Sequence, residues 1–224
     1  MIISVFPSGR QTAYCLPLPN IVRHIKTGTY KEIVTLARQH YRQAEGKRFR
    51  EALSNIPSYS PAGHFKGSFR PSRLVSFSGC VLLETECLTP DLISEVRLIV
   101  ENDPLTLACF QNVTGDQLQI IVRTGGSINN YRLHFHELVE HYEILLPLTL
   151  SLEHDYPFWL NKMSFDPEAY YNPGASSFMA SLYAPPPEPP FLKDLMESLI
   201  PEDVPPSNAS PVPLSACFTT IHFN

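Results

Sequence analysis

The sequence predicts an α+β fold: a ferredoxin-like, palm-type antiparallel sheet of β-α-β-β-α-β order, preceded by a basic α/β extension. Three observations predict it. Residues 75–165 alternate short apolar runs with stretches of helical spacing, in the order strand, helix, strand, strand, helix, strand. The composition is 43% hydrophobic and 17% charged, that of a chain able to bury a core. Ten of the 22 prolines lie from position 185 onward, so the composition changes near residue 183. The resulting division is a basic extension over 1–74, a core over 75–183, and a proline-rich tail over 184–224.

In the extension, Ile2–Phe6 reads as a strand and Thr12–Leu18 as a second extended segment limited by Pro17 and Pro19. Asn20 is placed to cap a short helix, Ile21–Thr27, that stops at Gly28. Tyr30, Ile33, Val34, Ala37, His40 and Tyr41 recur at helical spacing until Gly46. Lys47–Leu53 resumes as a basic helical turn or two and ends at Pro57. Pro61, Gly63, Gly67 and Pro71 make Ser58–Arg73 a loop or loose hairpin.

In the core, Val75–Glu86 reads as a buried central strand. Thr89-Pro90-Asp91 is a helix start, with a capping Thr, Pro at the first helical position and an acid in the first turn. That helix runs to about Glu101 with Leu92, Ile93, Val96, Ile99 and Val100 buried. Leu105–Gln111 and Gln117–Arg123 are strands joined by a turn. Asn129 or Asn130 caps a helix to about Leu146. Leu148–Leu152 is a short strand candidate, and Leu160–Phe165 is the last strand. Within the tail, Phe191–Ile200 carries an apolar stripe that fits a partner's groove or this chain's own domain.

Charge is unevenly spread. Residues 1–75 carry twelve Lys/Arg against three Asp/Glu, and residues 76–183 carry four against fourteen. Either the basic third meets a polyanion, or the two halves neutralise each other across an internal interface. The basic residues interleave with aromatics in the 58–73 segment, where His64, Lys66, Arg70 and Arg73 alternate with Phe65 and Phe69. Such a pattern grips a nucleic-acid backbone and stacks on bases, or is a cationic loop anchored by two buried rings.

No apolar run approaches the ~18 residues that span a membrane, and Met1–Pro7 lacks the basic start of a signal peptide. Five cysteines with no C-x-x-C, three of them in apolar strand-like runs, point to a reducing, cytoplasmic setting.

Glu84 and Glu86, one residue apart at the end of the central strand, project together to the same face. They are a candidate clamp for Mg²⁺ or Mn²⁺, or simply a charged strand end. His136-Glu137-Leu138-Val139-Glu140-His141 is not a zincin motif, since its histidines are i and i+5, about 140° apart on a helix. His134, His136 and His141 are therefore expected on a polar helix face.

The order of these motifs resembles the VirE-type amino-terminal domain of bacterial mobile-element and replication proteins, related to the primase–polymerase superfamily. The resemblance covers about residues 1–178. Its most specific segment is Ser164-Phe165-Asp166-Pro167-Glu168-Ala169-Tyr170-Tyr171-Asn172-Pro173, with support from Lys47…Leu53…Ile56-Pro57 and from Pro61-Ala62-Gly63-His64-Phe65. The resemblance implies a metal motif at Glu84 and Glu86 with Asp166 as a third acid, and a nucleotide turn at Thr114, Gly115 and Gln119. Here glutamates stand for the family's aspartates. The turn lacks its second glycine and its basic residue, and Trp159 stands where an arginine is usual. Such departures imply a degenerate site, because electrostatic stabilisation is the main catalytic term in phosphoryl transfer.

The expectation is a primase-like protein that binds single-stranded DNA or nucleotides in mobile-element replication. Lys47, Arg48, Arg50, Lys66, Arg70 and Arg73 would lie on phosphates and Phe65 or Phe69 on a base. One alternative is an active Mg²⁺- or Mn²⁺-dependent primase–polymerase. The other is an interaction module that docks a partner through Phe191–Ile200.

Overall fold

The computed structural model describes residues 1–8 and 13–180. The tail, including Phe191–Ile200, lies outside the described residues. The elements are β1 (Ile2–Phe6), β2 (Tyr14–Pro17), α1 (Leu18–Thr27), α2 (Lys31–Arg42), α3 (Gly46–Ser54), β3 (Ser58–Ser60), β4 (Gly63–Phe65), β5 (Leu74–Phe77), β6 (Cys80–Glu84), α4 (Pro90–Asn102), β7 (Thr106–Gln111), β8 (Leu118–Arg123), α5 (Tyr131–Leu145), β9 (Asn161–Lys162) and β10 (Tyr170–Tyr171). The fold is α+β, as the patterning predicts.

Sheet order follows from which strands find partners. β6, β8 and β7 pair antiparallel in that spatial order, and β10 closes the far edge of β7. A second sheet has the order β2-β1-β3-β9, and β4 pairs with β5 as a separate ribbon. The first sheet is buried on both faces. Val81, Leu83, Ile120 and Val122 face α4 and α5, while Cys80, Leu82, Phe110 and Ile121 face the amino-terminal sheet with α1, α2 and α3. This is the period-two alternation of a strand, here with apolar residues on both sides.

Five expectations are corrected. The 75–86 strand is two strands, broken at Ser78-Gly79, where Gly79 has φ +73. Its first half, β5, pairs with β4 and not with the core sheet. The expected last strand, Leu160–Phe165, forms only β9, which joins the amino-terminal sheet beside β3. Leu148–Leu152 instead lies along the open edge of β6 through a single bridge, Thr85 to Leu150. The segment 58–73 contains β3, a paired strand of the amino-terminal sheet, and not only loop. Finally, α1 starts at Leu18 with Pro17 as its cap, so Asn20 lies inside the helix; its end at Gly28, with φ +76, is as expected.

Cysteine chemistry follows burial. Cys80 and Cys109 are fully enclosed, and burial pushes both thiols up to about 12. Cys15 and Cys87 are exposed. Alkylation with iodoacetamide at pH 8 is expected to modify Cys15 and Cys87 in the folded protein, and Cys80 and Cys109 only after denaturation. Mass spectrometry of the native digest checks this; modification of Cys80 or Cys109 before unfolding would contradict it.

Candidate functional site

The carboxylates that open the metal question end up in different environments. β6 stops at Glu84, which is 8% exposed, and Glu86 lies beyond the strand at an exposed position of the connection to α4. Glu84 faces the amino-terminal layer with Cys80 and Leu82, opposite Gln119 on β8. Gln119 Nε2 donates to Glu84 Oε1 at 3.2 Å, and His154 Nε2 lies 3.0 Å from Oε2. The Gln119 amide also donates to Asn161 Oδ1 at 3.1 Å, and Tyr59 Oη donates to Gln119 Oε1 at 2.9 Å. Burial first, and the Glu84 charge second, hold the Tyr59 phenol well above its ordinary value, so it stays a neutral donor.

Each member is placed by a different element. Tyr59 on β3 stands opposite Asn161 on β9. His154 is carried by the 146–160 segment, which is fastened to the edge of β6. Ser151 N–H donates to Glu84 O at 2.8 Å, Leu150 N–H to Glu143 Oε1 at 2.8 Å, and Tyr131 Oη to His154 O at 3.1 Å. Trp159, the single tryptophan, lies edge-on to the His154 ring at 5.5 Å and is 36% exposed. The result is a buried polar network where the two sheets meet, with Trp159 over it.

Two unpartnered polar atoms mark this junction: His154 Nδ1 and Asn161 Nδ2 are buried without a hydrogen-bond partner. Buried polar atoms are normally satisfied, so such exceptions require an occupant or ordered water. The network does not fit a metal clamp. Both Glu84 oxygens are already engaged, Glu86 is outside, and no group of three or more His, Cys, Asp or Glu side chains among the described residues is placed to hold a cation. Mg²⁺ demands near-octahedral oxygen ligation.

Asp166 is elsewhere. It is 2% exposed, receives Arg97 Nη2 at 2.7 Å and accepts the backbone N–H of Gln111 at 2.8 Å, on the outer edge of β7. Both β7 and β8 lie between Asp166 and β6, so Asp166 stands beyond two inter-strand spacings, more than about 10 Å, from Glu84 along the sheet. Burial is the largest influence on Arg97 and lowers its pKa, but the Asp166 charge and hydrogen bond, with Cys109 and Glu101, together outweigh it and the net shift is upward. The three acids thus form no shared site.

The expected nucleotide turn also divides. Gln119 belongs to the buried network. Thr114 and Gly115 lie in the turn after β7, where Asn112 Oδ1 accepts from Gly115 N–H and Thr114 Oγ1, and Asp116 also receives Thr114 Oγ1. Arg38 of α2 crosses to this turn. Its Nε donates to Val113 O at 3.2 Å, and its Nη2 to Asn112 O at 2.9 Å, Ser164 Oγ at 3.2 Å and Phe165 O at 2.9 Å. A Cβ on Gly115 would lie 2.7 Å from Arg38 Nε, so glycine there admits the guanidinium. The cation missing from the turn's own sequence stands against it from another element.

The basic residues fall on two elements. Lys47, Arg48 and Arg50 are exposed on α3; Lys66, Arg70 and Arg73 are exposed on the connection between β4 and β5. Arg48 pairs with Glu45 at 2.8 Å. Phe65 is 2% exposed, with Phe6, Phe69 and Phe158 around its ring, so it cannot offer a stacking face; Phe69 is half-buried. Tyr156 and Trp159 are the exposed rings nearby in sequence to Phe158. Of the histidines expected on a polar helix face, only His136 is exposed. His134 and His141 are buried, and His141 Nε2 lies 2.9 Å from Asp103 Oδ2.

His154, Tyr59, Asn161 and Arg38 escape sequence reasoning because each meets its partner only across the fold. Arg97 carries a legible signal: it lies four residues after Ile93, on the apolar face of α4, where an unpaired charge is too costly to bury.

No curated protein and no solved structure matches the chain. A family model described as BT4734-like, N-terminal domain, matches residues 51–171. That span holds the whole Glu84 network and the Arg97–Asp166 pair but begins after α2 and Arg38. As the match takes in more than half of its 224 residues, the chain belongs to the BT4734-like N-terminal domain family.

Proposed function

We propose that the protein binds single-stranded nucleic acid through the basic face of its amino-terminal third, without phosphoryl transfer at Glu84 and Glu86. The observation that carries this reading is the fate of the charge. Every ion pair among the described residues stays within one half of the chain, so none joins residues 1–75 to the acidic core. The charges of Asp166 and Asp116 reach Arg38 across the two halves, but no ion pair among the described residues neutralises the exposed cations of α3 and of the β4–β5 connection from the core. Lys47, Arg50, Lys66, Arg70 and Arg73 are exposed and make no ion pair with a described residue. Solvated cations of this kind neutralise phosphates and release counterions.

The engaged state of Glu84 supports a binder over a nucleotidyl transferase. The resemblance of Ser164–Pro173 to VirE-type domains supports mobile-element replication as the setting. Among the described residues no helix is long and apolar enough to cross a membrane.

Binding of a fluorescent oligo-dT to the full chain tests the proposal. Affinity is expected to fall steeply with salt, and Arg70→Ala with Arg73→Ala to weaken it about tenfold at low salt and flatten the log–log slope by about 1.4, two contacts at ~0.7 each for a single strand. Unchanged binding in that double variant would remove the proposed surface. Salt-independent binding would remove the electrostatic reading altogether.

A further inference from the structure

One face of α2 is organised beyond what packing requires. Thr35, Arg38, Gln39, Arg42 and Gln43 fall at i, i+3, i+4, i+7 and i+8, so they share one side of the helix. With Phe165 they line a cleft of about 380 Å³. Small-ligand sites begin near this size. Lys31, one turn upstream, holds its ammonium 5.2 Å from the centroid of the Phe165 ring. No acidic residue lines the cleft.

The charge there is poorly compensated. Burial first, and repulsion from Arg42 in part, hold the Arg38 guanidinium below its ordinary value, although Asp166 and Asp116 act favourably on it. Both acids are otherwise engaged, Asp166 with Arg97 and Asp116 with Thr114. Arg38 spends Nε and Nη2 on its four acceptors, and Nη1 takes none of them. The Arg42 side chain makes no hydrogen bond or ion pair with a described residue. As a last-turn cation, Arg42 does complement the helix dipole. That accounts for one of three cations; Lys31 and Arg38 lie upstream of the last turn. The glutamine amides at 39 and 43 add neutral donors beside the guanidinium groups. A cation cluster with adjacent amide donors, an aromatic floor and no carboxylate suits a phosphate group.

We propose that this cleft is a subsite for the phosphate chain of a nucleotide, with Arg42 as its principal free cation and Arg38 as the anchored one. The site supplies from α2 the positive charge that the 114–119 turn lacks, beside the Ser164–Asp166 segment that Arg38 holds. It deepens the polyanion-binding reading and rests on it, but on a different element from Arg70 and Arg73.

Calorimetry on the full chain with dATP, inorganic triphosphate and 2′-deoxyadenosine tests it. The first two are expected to bind and the nucleoside to fail. Arg42→Gln should weaken dATP and triphosphate about tenfold, the loss of one charge-assisted contact, and Lys31→Gln should weaken them by a smaller factor. Because neither side chain is buried, both variants should keep the wild-type melting temperature. Arg70→Ala with Arg73→Ala should leave dATP binding unchanged. The cleft is excluded if Arg42→Gln binds dATP as well as the parent, or if the Arg70/Arg73 variant loses it equally. Should oligo-dT binding still respond to Arg70 and Arg73 in that case, the nucleic-acid reading survives and only the cleft fails. Equal binding of nucleoside and dATP would also overturn the phosphate assignment.

Discussion

Replacing Asp166 with alanine is expected to lower the unfolding free energy by about 3–5 kcal/mol, the cost of leaving a buried charge without its partner. Asp166 receives Arg97 Nη2 on one oxygen, which also accepts the Gln111 N–H, while the other accepts the Glu168 N–H at 3.0 Å. Arg97 is 6% exposed, so the substitution strands a guanidinium inside the protein. Glu101 and Glu168 stand 3.7 Å from it and take up part of the loss. Asp166→Asn keeps the shape and one acceptor and should fall between parent and alanine variant. Urea denaturation monitored by Trp159 fluorescence reads both. A change below about 1 kcal/mol for the alanine variant would show that the pair does not tie α4 to the sheet edge, and would return Asp166 to the list of acids available for a ligand.

Glu84 and Glu86 are expected to separate sharply. Glu84→Ala should cost about 2–4 kcal/mol, because it leaves the Gln119 amide and the His154 imidazole facing a small void between the layers. Glu84→Gln retains one acceptor and should cost about half of that. Glu86→Ala, at an exposed position, should lie within about 0.5 kcal/mol of the parent. The same denaturation series measures all three. Trp159 lies edge-on to His154, so its emission should shift in the Glu84 variants and stay put in Glu86→Ala. If the two alanine variants behave alike in stability, the buried network has no structural role and the paired-clamp reading regains its ground.

Much of the fold was legible because its signals are local. Thr89-Pro90-Asp91 opens α4, and Gly28 closes α1 in the left-handed conformation. The apolar alternation of β7 and β8 with a turn between them specifies a hairpin. The candidate site was less legible for a definable reason. Reading Glu84 and Glu86 as a pair assumes that the strand runs through both, but β6 ends at Glu84, Thr85 keeps a last bond to Leu118 while bridging Leu150, and Glu86 lies outside the sheet. Phe65 looked like one of two interleaved rings; the register of β4 against β5 and the nearness of Phe6 and Phe158 turn it inward. Charge asymmetry was read correctly as a fact, but only ion-pair geometry distinguishes an exposed basic surface from a neutralised one.

By itself the sequence determined the α+β class, the positions of the helices and the central hairpin, and the basic amino-terminal third. Each depends on spacing or composition within some fifteen residues, where helix and strand periods and capping chemistry act. Tertiary structure alone decided where the last strands go: 161–162 to the amino-terminal sheet, 170–171 to the edge of β7, and 148–152 to the edge of β6. Two-residue strands carry no period from which a partner can be read, and their choice is made by which edge leaves backbone groups unsatisfied. The same long-range choices carry His154 to Glu84 and Arg38 to Gly115. They convert a strand that looked like a metal clamp into a buried network, and set Arg38 of α2 against the turn that follows β7.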